Sequence, residues 1–121
     1  MPLNRILETL VEGTPGARAA VLADGEGEAV VAYTSGEGTD YDIKLVGAHH
    51  GIILARAREM VERLRLGEPI EITFLQDQFH VITVPVNREY YLVLTISPDA
   101  LPARAKHHAT RAARDIEAEI A

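Results

Sequence analysis

A chain of 121 residues, 47% of them hydrophobic, is long enough to bury one hydrophobic core but hardly two. The formal net charge of -6 argues against nucleic acid as the main partner, because phosphate binding needs a concentrated basic surface. The absence of cysteine excludes disulfides and thiolate chemistry, and no apolar run approaches the ~20 residues of a membrane-spanning helix. We therefore expect a cytoplasmic protein that does not insert into a membrane.

The N-terminal third predicts a helix followed by a β-hairpin. Apolar residues recur at helical spacing from Leu3 to Val11, and the Gly-Thr-Pro-Gly sequence at 13–16 ends that helix. Two short apolar runs follow, over Ala17–Ala23 and Glu28–Ser35. The segment 24–27 between them supplies glycines for positive φ, so the two runs are predicted to pair as a hairpin.

The rest of the chain predicts a long helix, three strands and a last helix. The long helix covers Tyr41–Leu66, and the strands cover Ile70–Leu75, Phe79–Val84 and Tyr90–Ile96. The last helix begins near Pro102 and continues to residue 120. The order α-β-β-α-β-β-β-α predicts an α+β fold, in which helices pack on a central five-stranded antiparallel sheet.

The long helix has two apolar faces over its first half. At about 100° per residue, one stripe follows the whole helix and is expected to lie on the sheet. That stripe contains Ile43, Val46, His50, Ile53, Leu54, Ala57, Val61 and Leu64. The second stripe contains Leu45, Ala48, Ile52 and Ala55. Because both faces must be buried, the second stripe is expected to need a partner.

Gly47, Gly51 and Ala55 recur at every fourth residue of this helix. Two interior glycines cost helix stability, so they indicate a steric requirement. They either let another backbone approach closely or relieve packing against the chain's own sheet.

The adjacent histidines 49 and 50 first suggest a metal site. Neighbouring helical residues point about 100° apart, so His49 and His50 cannot chelate one ion as an i, i+4 pair could. We expect His50 to be a neutral, hydrogen-bonded core residue. We expect His49 to border the second stripe, close to Arg56, on a face that a partner could cover.

No catalytic or cofactor motif is present. The glycine loops DGEGE and SGEGTD lack the GxxxxGK[ST] and GxGxxG patterns, and their carboxylates would repel a phosphate. The serines and threonines have no recognisable nucleophile arrangement with histidine and aspartate. The sequence therefore predicts no enzyme, no cofactor and no metal.

The stretch TPGARAAVLADGEGEAVVAYTS, which follows the first helix, resembles the opening of the roadblock / dynein light chain family. In that family a helix, a Pro-Gly turn, a strand, an acidic Asp-Gly hairpin and a second strand follow one another. The corresponding segments here are Pro15-Gly16, Ala17–Ala23, Asp24-Gly25 and Ala29–Thr34. The resemblance covers essentially the whole chain, and it implies one roadblock-like domain over residues 1–121 with a profilin-like sheet.

The resemblance also implies a function. Bacterial and archaeal members of the family commonly accompany Ras-like small GTPases as regulators, and the paired second helices form the docking platform in the GTPase-activating members. It implies a homodimer joined edge to edge through the third strand, Ile70-Glu71-Ile72-Thr73-Phe74-Leu75. The expected contacts with the second subunit or the GTPase are Leu45, Ala48, His49, Ile52, Ala55 and Arg56. The first hypothesis is thus a homodimeric, non-enzymatic regulator or scaffold for a Ras-like GTPase, with a GTPase-activating role left open.

Two alternatives belong to other classes. A small-ligand sensor with a PAS- or profilin-like sheet would need a pocket between sheet and helix, and the filled apolar stripe leaves little room for one. A metal-dependent enzyme would have to gather histidines from separate segments, and it is the weakest of the three.

Overall fold

The computed structural model describes residues 2–36 and 38–121. Its elements are α1 (Pro2–Gly13), β1 (Ala17–Asp24), β2 (Ala29–Thr34), α2 (Asp40–Arg63), β3 (Ile72–Phe74), β4 (His80–Pro85), β5 (Tyr90–Ile96) and α3 (Pro102–Ile120). The predicted α+β class and the predicted element order are confirmed.

The five strands form one antiparallel sheet in the order β2-β1-β5-β4-β3. Helices α1 and α3 pack on one face of the sheet, and α2 packs alone on the other. Side chains alternate between the faces along each strand. In β1, for example, Leu22 lies in the core under α1 and α3, whereas Val21 lies in the core under α2.

A capping box fixes the start of α2. The Asp42 N–H donates to Thr39 Oγ1 at 3.2 Å, and the Thr39 N–H donates to an Asp42 carboxylate oxygen at 3.3 Å. The helix ends at Arg63, three residues before the predicted end, and Arg65 follows in the left-handed region with φ of 58°. The prediction that Leu64 faces the sheet is therefore wrong: it lies beyond the last helical residue and is exposed.

Strand β3 is also shorter than its predicted range, so the prediction is wrong for Ile70, Glu71 and Leu75. The register pairs Ile72 with Thr83, which places Ile70 opposite Pro85. Proline has no N–H to donate, so the ladder does not extend that far. At the other end, the Gln76 N–H donates to His80 Nδ1 at 3.1 Å and closes the turn to β4.

Candidate protein interaction surface

The solvent side of α2 carries a line of large apolar side chains. Tyr41 is 70% exposed, Leu45 47% and Ile52 62%. Their spacing of four and seven residues keeps them on one side of the helix over about 16 Å. Ala55 and Arg56 continue the exposed surface, and Arg56 pairs with Glu59 at 3.5 Å. We call Tyr41, Leu45, Ile52, Ala55 and Arg56 the outer face of α2.

Ala48 differs from the other members of the predicted second stripe. It is half-buried, and its Cβ lies 3.8 Å from where a Cβ on Gly27 would be. It therefore packs beside the chain's own β1–β2 hairpin. Helical periodicity could not reveal this contact, because Gly27 belongs to a separate segment of the chain.

The two histidines have different surroundings. The exposed His49 donates from Nδ1 to the Leu45 carbonyl oxygen at 2.9 Å. His50 is half-buried, and its ring meets the Phe74 ring edge-on at 5.1 Å between centroids. Burial, and then the neighbouring His49, lower the pKa of His50, so its neutral form is favoured. The described residues offer its ring an aromatic contact but no hydrogen bond, in contrast to the prediction.

The glycines of α2 face the chain's own sheet. A Cβ on Gly47 would lie 2.6 Å from Val21 Cγ1, and one on Gly51 would lie 2.1 Å from Tyr91 Oη. The same buried Tyr91 hydroxyl donates to the Gly47 carbonyl oxygen at 2.9 Å, and burial raises the pKa of Tyr91. The interpretation that the glycine spacing relieves packing against the chain's own sheet is therefore correct. The expectation that these glycines admit a partner backbone is wrong.

The contact between His50 and Phe74 shows which side of α2 faces β3. At 100° per residue, Val46, His49, Ile53 and Met60 lie between that contact and the outer face, and we call them the β3-side face of α2. Val46 and Ile53 are half-buried, whereas His49 and Met60 are exposed.

The edge of the sheet beside this face is apolar. Strand β3 pairs with β4 alone among the described strands, so one of its edges has no backbone partner there. Phe74 is partly exposed, and Ile70, just outside the strand, is 85% exposed. An unpaired apolar edge is a surface on which another strand can pair.

No protein-family model matches the sequence, and neither does any curated protein. Solved structures do match. A roadblock/LC7 domain from Streptomyces avermitilis superposes with a TM-score of 0.87 at 13% identity, over 99% of this chain and 98% of that one. The chain has the fold of a roadblock/LC7 domain.

Other matches agree with this assignment. The gliding protein MglB from Thermus thermophilus gives a TM-score of 0.85 at 19% identity, over 99% of this chain and 90% of that one. An MglB described as having a tetrameric arrangement gives a TM-score of 0.84 at 18% identity, over 96% of this chain and 85% of that one. Profilin II from Acanthamoeba castellanii gives a TM-score of 0.66 at 14% identity, over 98% of this chain and 99% of that one. The resemblance of the sequence to the roadblock family is thus confirmed at the level of the fold, including its profilin-like sheet.

Two surface grooves of this roadblock fold lie away from α2. One groove of about 910 Å³ runs between α1 and α3, and another of about 820 Å³ lies between α3 and the end of β4. The space under α2 is occupied by Val21 and Tyr91.

Within residues 2–36 and 38–121, no group of three or more histidine or carboxylate side chains could hold a metal ion. None of the helices in that part of the chain is long and apolar enough to cross a bilayer.

Proposed function

We propose that this protein is a cytoplasmic, non-enzymatic regulator or scaffold that forms a homodimer and binds a Ras-like small GTPase through α2. The proposal rests on the exposed apolar outer face of α2 and on the edge of β3 that has no strand partner among the described residues. The roadblock resemblance implies both homodimer formation and GTPase binding. The tetrameric arrangement of one matching MglB supports self-association.

The dimer forms by pairing β3 with its copy. Antiparallel pairing would give the open backbone groups of Ile72–Phe74 partners and continue the sheet into the second subunit. The two-fold axis of such a pair is perpendicular to the sheet, so both α2 helices lie on one face. Because His50 contacts Phe74 of β3, the β3-side face of α2 lies nearest that axis. It therefore meets the second subunit.

The outer face of α2 remains free in this dimer. Tyr41, Leu45 and Ile52 would form an apolar strip on each subunit, with Arg56 at its border. A central apolar patch with charged residues at its rim is the usual composition of a protein interface, and tyrosine and arginine are frequent hot spots. We assign this face to the GTPase.

The adjacent isoleucines of α2 separate the two functions experimentally. Ile53 belongs to the β3-side face, whereas Ile52 belongs to the outer face. We expect Ile53→Asp to give a monomer in size-exclusion chromatography with light scattering at micromolar concentration. We expect Ile52→Asp to remain a dimer, and circular dichroism checks that both variants are folded. A monomeric wild-type protein would refute the dimer.

GTPase binding is tested with the Ras-like GTPase encoded nearest to this gene, loaded with GDP or with a non-hydrolysable GTP analogue. We expect the wild-type dimer to bind one nucleotide state preferentially. Ile52→Asp should weaken that binding by at least about tenfold, the loss of one buried hot-spot side chain. Hydrolysis rates measured with the wild-type dimer decide whether it also activates the GTPase. If the wild-type dimer binds neither state of this GTPase, the assignment of the outer face fails while the dimer stands.

A further inference from the structure

Helix α3 carries a basic stripe on the side farthest from the sheet. Arg104, His107, Arg111 and Arg114 are all exposed and follow one another at spacings of three, four and three residues. The opposite side of the helix is buried and consists of Ala105, Ala109, Ala112, Ala113 and Ile116. From first to last, the stripe is about 15 Å long.

Among the described residues, the arginines of this stripe form no ion pair. Arg58 and Arg88 share the carboxylate of Glu68, but the described residues place no carboxylate within ion-pair distance of Arg104, Arg111 or Arg114. In a chain with a net charge of -6, three such arginines along one helix are a pronounced local excess of positive charge.

The start of α3 is poorly suited to helix stability. The first turn has no acidic residue, and Arg104 lies where the helix dipole is positive. The N-cap is Leu101, which is 66% exposed and makes no capping hydrogen bond through its side chain. Residues that oppose local stability without a compensating contact are typical of functional sites.

The stripe and Leu101 together identify the chemistry of a partner. Guanidinium groups bind phosphate oxygens in bidentate fashion, and a straight row on an outer ridge can touch a flat surface along its whole length. A nucleic acid offers phosphates but no apolar layer for the exposed Leu101. The boundary of an anionic bilayer offers phosphates and apolar chains side by side.

We propose that α3 adsorbs to the surface of an anionic phospholipid bilayer through Arg104, Arg111, Arg114 and Leu101. The contact is peripheral and inserts no helix. Because α3 and α2 lie on opposite faces of the sheet, adsorption turns the outer face of α2 away from the bilayer. Adsorption itself does not depend on GTPase binding. Two stripes on the same face of the proposed dimer would strengthen it by avidity.

Co-sedimentation of the protein with phospholipid vesicles tests this proposal. One set of vesicles contains equal parts of phosphatidylcholine and phosphatidylserine, and the other contains phosphatidylcholine alone. We expect binding to the anionic set only, and we expect high salt to release the protein. Each basic residue near an anionic surface contributes about fivefold in partitioning, so Arg104→Gln/Arg111→Gln/Arg114→Gln should reduce binding at least about tenfold.

The matched control changes the net charge equally, away from α3. Arg18→Gln/Arg63→Gln/Arg65→Gln removes three other exposed arginines and should bind vesicles like the wild-type protein. Leu101→Ser should weaken binding without altering its dependence on salt. Three results would each overturn the proposal. They are equal losses of vesicle binding in the two triple variants, equal binding of the wild-type protein to both vesicle sets, and stronger binding to a DNA duplex than to anionic vesicles. All the substituted residues are exposed, and circular dichroism confirms folding.

Discussion

Replacing Gly51 by alanine places a methyl group where the Tyr91 side chain now lies. The new Cβ would be 2.1 Å from Tyr91 Oη and 2.7 Å from Cζ. Real Cβ atoms do not approach so closely, so either α2 or the tyrosine ring must shift. Such a shift also disturbs the hydrogen bond that the buried Tyr91 hydroxyl donates to the Gly47 carbonyl oxygen.

The expected loss of stability follows from three contributions. Overpacking a well-packed core costs about 1–3 kcal/mol. A buried hydroxyl left without its acceptor costs about 1–3 kcal/mol. Alanine is better than glycine inside a helix by about 1 kcal/mol, which offsets part of the loss. The free energy of unfolding of Gly51→Ala should therefore fall by about 1–5 kcal/mol relative to the wild-type protein.

Urea denaturation followed by circular dichroism measures this loss. Gly13→Ala is the control, because a Cβ there would have no neighbour within 4 Å among the described residues outside its own helix turn. Both proteins are measured at several concentrations, since a defect confined to subunit contacts would depend on concentration. If Gly51→Ala unfolds at the wild-type urea midpoint when dilute, and differs only in its dimerisation, then Gly51 serves a partner and our assignment is refuted.

Three further variants test the cap and the two histidines of α2. Thr39→Ala removes the acceptor for the Asp42 N–H and should lower the free energy of unfolding by about 1 kcal/mol, measured in urea; an unchanged midpoint would show that the cap contributes nothing. Because burial lowers the pKa of His50, the folded chain binds fewer protons there than the unfolded chain, so stability should decrease as the pH falls below the ordinary value of about 6.5. Acid titration of stability should show a shallower decrease for His50→Gln than for the wild-type protein, and equal slopes for these two proteins would contradict the assignment. His49→Asp should weaken dimerisation or GTPase binding more than it weakens folding. Light scattering measures dimerisation and urea denaturation measures stability, and equal losses of the two would count against a role of His49 in partner contact.

The sequence was most informative where a single element determines its own pattern. Strand β5 has the predicted bounds, Tyr90–Ile96, because it is buried on both faces and is apolar except at Thr95. Helix α2 has its inward residues Ile43 and Leu54 buried as predicted, because helical periodicity alone decides which side they occupy.

The sequence was least informative where distant segments meet. The steric role of Gly51 depends on Tyr91, forty residues later, and the packing of Ala48 depends on the hairpin turn at Gly27. The length of β3 depends on Pro85, which becomes its neighbour only through the register of β4. Periodicity within one helix or strand contains no information about such pairs. For the same reason, it could not divide α2 into an outer and a β3-side face.

The position of β5 in the sheet has a consequence for how the chain folds during synthesis. This last strand lies between β1 and β4, so it joins the N-terminal hairpin to the rest of the sheet. Its pairs with β1, such as Val21 with Val93, span more than half of the sequence. Closing so long a loop is entropically costly and slows folding. On the ribosome, β1 and β2 can pair early, but the second backbone edge of β1 has no strand partner until β5 emerges. A chain truncated before Tyr90 should therefore aggregate and fail to fold.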